Sequence, residues 1–163
     1  MSYNFAPATA DELTQIMAIE HSGFSNAEAA STDSMAQRIA VISDTFIVAH
    51  TATGAVAGYI VGPASKERYI TDDLFETTTP NQPNAPYQTV LSLAVAPNHQ
   101  GQGIAGALLT ELAKVAKAQN RQAITLTCLK KLVPFYEAHG YQNEGVAASD
   151  HAGETWYNLV LAL

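Results

Sequence analysis

The sequence predicts a mixed α/β sheet with helices on both faces. Three observations carry that prediction. Helix-period and strand-period segments follow one another along the 163 residues. Hydrophobic residues make up 47% and charged residues 14%, which suits a packed core rather than a disordered chain. Neither a repeat nor a domain linker interrupts the pattern, so a single domain over 1–163 is expected. The order is strand, two helices, three strands, helix, strand, short helix, two strands.

Tyr3 to Ala6 reads as a short first strand. Thr9 and Glu12 have the spacing of a capping box and open a helix over about 10–20. Leu13, Ile16, Met17 and Glu20 fall at helical spacing there, and the first three are expected to face the core. "GFSNAE" breaks the pattern. A second helix follows near 33–42, with Met35, Ile39 and Ile42 on one side. "TFIVAH" and "AVAGYIVG", separated by "TATG", read as an antiparallel hairpin. Residues 63–86 are polar and carry three prolines in "TTPNQPNAP", with one helical turn expected near 72–75. A loop of that length in a compact domain is often functional. "QTVLSLAVA" reads as one central strand that Pro97 ends. The helix that starts at Gly103 shows Ile104, Leu108, Leu112 and Val115 at helical recurrence. "AITLTC" has the pattern of a buried strand. In "VPFYEAHG", Pro134 suits a first helical turn and Gly140 a C-cap. "YQNEGVA" and "ETWYNLVLAL" close the chain, and the apolar "WYNLVLAL" can fill the sheet or support a homodimer.

The bulk properties exclude several classes. A net charge of −7 argues against nucleic-acid binding, which needs a basic face, and mildly favours a cationic partner. The single cysteine, Cys128, allows no internal disulfide, and no Cys/His set has zinc spacing, so no metal is expected. "MSYNFAPATADEL" has neither the basic start nor the apolar run of a signal peptide, and no stretch approaches the roughly 20 apolar residues of a bilayer span. A soluble, cytoplasmic protein without a membrane partner is expected.

The stretch "HQGQGIAG" contains G-x-G-x-x-G at Gly101, Gly103 and Gly106. A dinucleotide site needs those glycines directly after a strand and an acid about 20 residues on. Here "APNHQ" intervenes, and the first carboxylate after Glu111 is Glu137. A P-loop is excluded because no Gly-Lys-Ser/Thr follows. What remains is a Gly-rich turn at a helix N-terminus, which suits a phosphate.

The longer stretch "LAVAPNHQGQGIAGALL" resembles the coenzyme-A signature of the GNAT acetyltransferase superfamily. Its core, Gln/Arg-x-x-Gly-x-Gly/Ala, is met by Gln100, Gly103 and Ala105. "LTCLKKLVPFYEAHGYQNEG" and "GFSNAEAAS" resemble the arylalkylamine (serotonin) N-acetyltransferase branch and its bacterial relatives. The resemblance implies the GNAT fold, with a mixed, mostly antiparallel sheet, and an enzyme that moves acetyl from acetyl-CoA to a small primary amine. It implies that the strand ending at Val95 splays from the strand at 123–127. Main-chain groups of Leu93 and Val95 would then hold the pantetheine arm. The pyrophosphate would rest on amides between Gln100 and Gly106, including those of Gly101, Gly103 and Ala105. A bulge amide near Leu93 and Ala94 would polarise the thioester carbonyl. Tyr136 would protonate the leaving thiolate.

Phe24 and Glu28 lie in the segment that borders the amine pocket in that branch. Phe24, like Tyr59, suits either pocket lining or ordinary core, and Glu28 either the pocket or solvent. The branch's two strand histidines are replaced here by Thr89 and Leu91, neither of which is a base at neutral pH. His151 suits the pocket or, preferably, solvent. His21, His50, His99 and His139 show no partner pattern and read as surface or cap residues. Two other functions fit the same sequence: a non-catalytic acyl-CoA-binding module, or an acetyltransferase for protein lysine or N-terminal amines.

Overall fold

Thr9 donates its N–H to Glu12 Oε1 at 2.9 Å, and a 3-10 turn over Ala10–Glu12 feeds the first helix. In the computed structural model, which describes residues 2–163, the strands are β1 (Asn4–Pro7), β2 (Phe46–His50), β3 (Val56–Val61), β4 (Ala64–Ser65), β5 (Tyr87–Val90), β6 (Ser92–Val95), β7 (Ala123–Leu129), β8 (Gln142–Val146) and β9 (Trp156–Ala162). The helices are α1 (Leu13–Gly23), α2 (Thr32–Val41), α3 (Asp73–Glu76), α4 (Ile104–Ala118) and α5 (Val133–Ala138). None of them is long and apolar enough to cross a membrane among the described residues.

The fold is mixed and mostly antiparallel, as expected, but the sheet is divided. β1-β2-β3-β6 form one part and β4-β5-β7-β9-β8 the other; only β5 and β7 are parallel. The expected single strand "QTVLSLAVA" is therefore two. Up to Val90 the chain pairs with β7, with Val90 opposite Leu126. From Ser92 it pairs with β3, with Ser92 opposite Val61. The Leu91 N–H also donates to Val61 O, at 2.8 Å, so two residues oppose one in the manner of a β-bulge. Past that point β6 no longer pairs with β7, and the sheet opens into a V.

Two apolar clusters cover the two faces. Ile16, Met17, Met35 and Ile39 of α1 and α2 pack on Phe46, Val48 and Tyr59. On the other face Ile104, Leu108 and Leu112 of α4 pack with Val133 and Tyr136 of α5 on Ile124 and Leu126. β9 lies between β7 and β8 with Leu159 and Val160 buried, so the apolar terminus fills the sheet.

The segment over 63–86 is more ordered than its composition suggests. β4 pairs with β5, and α3 forms the helical turn. Asn81 accepts from Ala64 N and donates to Asp44 and Thr45. Arg121 donates to the carbonyls of Gln82 and Ala85 at 2.7 and 2.8 Å. These bonds replace the strand ladder that a proline-rich segment cannot make.

Candidate active site

The V between β6 and β7 is the centre of the site. Antiparallel strands alternate between bonded and unbonded pairs. Ala96 N–H donates to Ala57 O at 2.8 Å, so in this register Ala94 turns its main chain towards Tyr59 of β3, whereas Leu93 and Val95 turn theirs into the V. The expected main-chain positions of Leu93 and Val95 thus face the gap. Ala94 does not: its side chain is buried in the cluster under α1 and α2. The bulge sits at Leu91 and Ser92, two residues before the expected place, because the change of partner from β7 to β3 falls there.

At one end of the V the helix α4 begins. Gly101 and Gly103 have φ of +78° and +79°, and Gly103 is the N-cap. Side chains resist that left-handed backbone, so glycine supplies it without strain. Ala107 N–H is taken up by Gly103 O at 3.0 Å, while the first-turn amides before it lack helical partners. Val95, Gln100, Gly101, Gly103, Ala105 and Gly106 line one cavity around these amides. Gln100 Nε2 lies 3.4 Å from Val95 O. His99 and His139, read from sequence as surface or cap residues, also line this cavity. The His139 ring lies against Gly106, where a Cβ would come within 2.7 Å of it.

A second cavity runs from the other side of the V towards α1. Leu91, Ser92, Leu93, Thr127, Cys128 and Tyr136 line it together with Glu20, Phe24 and Glu28. Ile70, Asp72 and Phe75 from the long loop and His151 and Trp156 from the β8–β9 region complete the wall. His151, expected in solvent, has an exposed ring that stacks on Phe75, with centroids 6.1 Å apart and planes at 5°. Tyr59 does not line the cavity. It is buried beneath it and donates its hydroxyl to Glu20 Oε1. Thr89, at the first histidine position of the branch, is buried and donates to Pro63 O, while Leu91 lines the cavity.

Tyr136 is held in α5 by edge contacts to Phe135 and Tyr141, with centroids 5.0 and 5.7 Å away. Burial, and then the neighbouring Cys128, push its phenol above the ordinary tyrosine range, so it stays protonated at neutral pH. Burial likewise pushes the Cys128 thiol up to about 11. A thiol raised in the folded state favours folding fully below its unfolded value, and that contribution is lost as pH rises from there to about 11. Alkylation of Cys128 at pH 8, followed by mass, is therefore expected to be far slower than for a free cysteine. Labelling at the free-thiol rate would contradict this placement.

Sequence reasoning missed Glu20, which is 1% exposed. The only local signal is its position on the stripe of Ile16 and Met17. Among the described residues no group of three or more His, Cys, Asp or Glu is placed to hold a metal ion.

The divided sheet whose gap ends at the N-terminus of α4 is the arrangement that the resemblance implies. Residues 43–143 match the acetyltransferase (GNAT) domain family, and the chain belongs to it. It carries an acetyltransferase domain.

Solved structures agree with the fold. Ard1 from Thermoplasma volcanium superposes with TM-score 0.80 at 14% identity, covering 100% of this chain and 99% of that one. The loading GNATL domain of CurA from Lyngbya majuscula gives 0.85 at 13%, covering 99% and 98%. A phosphinothricin acetyltransferase from Sinorhizobium meliloti, in complex with AcCoA, gives 0.72 at 20%, covering 100% and 89%. No curated protein sequence matches the chain significantly.

Proposed function

We propose that this enzyme transfers the acetyl group of acetyl-CoA directly to a small primary amine. One observation carries the choice of acceptor. The cavity that reaches Tyr136 is walled on its acceptor side by Phe24 and Glu28 and by two loops that meet where Phe75 stacks on His151. A roofed, partly aromatic cavity suits a compact molecule carrying an apolar or aromatic group better than an extended polypeptide, and it fits the arylalkylamine-like acceptor that the resemblance implies.

The chain's residues divide the work. The amides around Gly101, Gly103, Ala105 and Gly106 would hold the pyrophosphate, and the main chain of Leu93 and Val95 the pantetheine arm. The Leu93 amide, which the register turns into the V, would be the donor for charge that develops on the carbonyl oxygen. Tyr136 would donate a proton to the departing sulfur. The test is thiol release from acetyl-CoA across a panel of arylalkylamines, simple alkylamines and peptides with free N-termini. Turnover is expected with small amines. Faster turnover with the peptides would overturn the reading in favour of a protein acetyltransferase, and binding without turnover would favour a non-catalytic module.

A further inference from the structure

We propose that Glu20 takes up the acceptor's ammonium group and receives its proton, so that the preferred acceptor is an amine that is cationic at neutral pH. The inference rests on the acetyl transfer to an amine proposed above. That chemistry needs a base, since an alkylamine with a pKa near ~10 is almost wholly protonated at neutral pH. Neither Thr89 nor Leu91 supplies one.

Glu20 is a carboxylate almost fully withdrawn from water, yet it lines the cavity. Such a group needs compensation, and the surroundings provide it. Oε1 accepts from Tyr59, whose phenol is held protonated by burial and by the charge of Glu20. Oε2 accepts from Ala30 N at 2.8 Å and from Ser92 Oγ at 3.3 Å. Arg38, fully buried and electrostatically coupled to Glu20 and Tyr59, supplies positive charge without closing on the carboxylate. Its Nε and Nη1 have no hydrogen-bond partner among the described residues.

The weakest of these partners is Ser92, which belongs to the bulge. A nitrogen arriving beside Ser92 therefore meets a carboxylate oxygen on one side and the V on the other. The other charged groups of the cavity are less suited. Glu28 accepts from Ser25 N, Asp72 is exposed, and Lys131 has the wrong sign. His151 is occupied in its stack on Phe75 at the roof.

The proton balance is simple. The nitrogen sheds two protons as the N–C bond forms and the C–S bond breaks. One passes to Glu20 and on to solvent. The other offsets the proton that Tyr136 gives to the sulfur, so that CoA leaves as the thiol.

The test compares Glu20→Gln with wild type on two acceptors: an alkylamine, and an aromatic amine already unprotonated at pH 7. For the alkylamine, kcat/KM is expected to fall by about 10²-fold or more at pH 7 and to recover as pH approaches ~10. The neutral amine should lose little, and acetyl-CoA binding should not change. Equal losses for both amines, with no pH-dependent recovery, would show that Glu20 is only structural and would overturn the proposal. A second measurement uses the wild-type enzyme, in case the variant folds poorly. A trimethylammonium analogue of the acceptor should inhibit more strongly than its neutral tert-butyl isostere; equal inhibition, or none by either, counts against the proposal. If wild type acetylates no amine at all, the proposed function fails. If it does and the discrimination is absent, only the role of Glu20 fails.

Discussion

Tyr136→Phe is expected to lower kcat by about 10²–10⁴-fold, or roughly 3–5 kcal/mol of transition-state stabilisation. Dissociation of acetyl-CoA and the melting temperature should be unchanged. The argument turns on what the substitution leaves in place. The ring keeps its edge contacts to Phe135 and Tyr141 and its place in the core under α5. The hydroxyl forms no hydrogen bond to a described residue, so its loss leaves no orphaned partner. What disappears is the proton available to sulfur. Because burial holds the phenol above its ordinary range, a basic limb in the pH profile of kcat below ~10 should not come from this residue. Unchanged turnover would remove Tyr136 from the mechanism. A rise in the dissociation constant matching the fall in kcat would recast it as a binding residue.

Gly62→Ala is expected to be the most damaging small substitution for stability, at about 3 kcal/mol or more. In a chain of this length that lowers the melting midpoint by roughly 6–12 °C. A Cβ at this position would stand 2.0 Å from Thr89 O and 2.5 Å from its carbonyl carbon. Those are backbone atoms, and they are not free to move. Thr89 N–H donates to Pro63 O at 3.0 Å, its hydroxyl donates to the same oxygen at 2.6 Å, and Gln88 Nε2 donates to Gly62 O at 2.7 Å. Relief would require β5 to move away from β3 at the place where the sheet divides. Gly23→Ala is the control: its new methyl would meet only Ala94 Cβ, at 3.9 Å, and its midpoint should barely move. Equal midpoints for the two variants would refute the close approach as the cause.

Much of this architecture was legible because it is local. The apolar stripe of α4, the proline and glycine that frame α5, and the glycines before Ile104 are all short-range signals. Tyr136 and the amide cradle stand beside the V because those signals set the elements that carry them. The division of "QTVLSLAVA" was not legible. No glycine or proline marks Leu91 and Ser92; the break arises because two strands distant in sequence, β3 and β7, compete for one run of β-forming residues. The order in the 63–86 segment was hidden for the same reason, since Arg121 and Asp44 hold it from outside. Glu20 is the sharpest case. Its partners Tyr59 and Ser92 lie 39 and 72 residues away, so no pattern within α1 distinguishes it from a solvated carboxylate.

The two cavities share the V through neighbouring positions of one strand: Leu93 belongs to the acceptor side and Val95 to the cradle. On the proposed function the reactants would therefore have separate doors. Neither would have to depart before the other enters, and both would be present when the acetyl group changes hands. On the proposed direct transfer no side chain would carry the acetyl group, and the buried thiol of Cys128 would line the passage as a spectator.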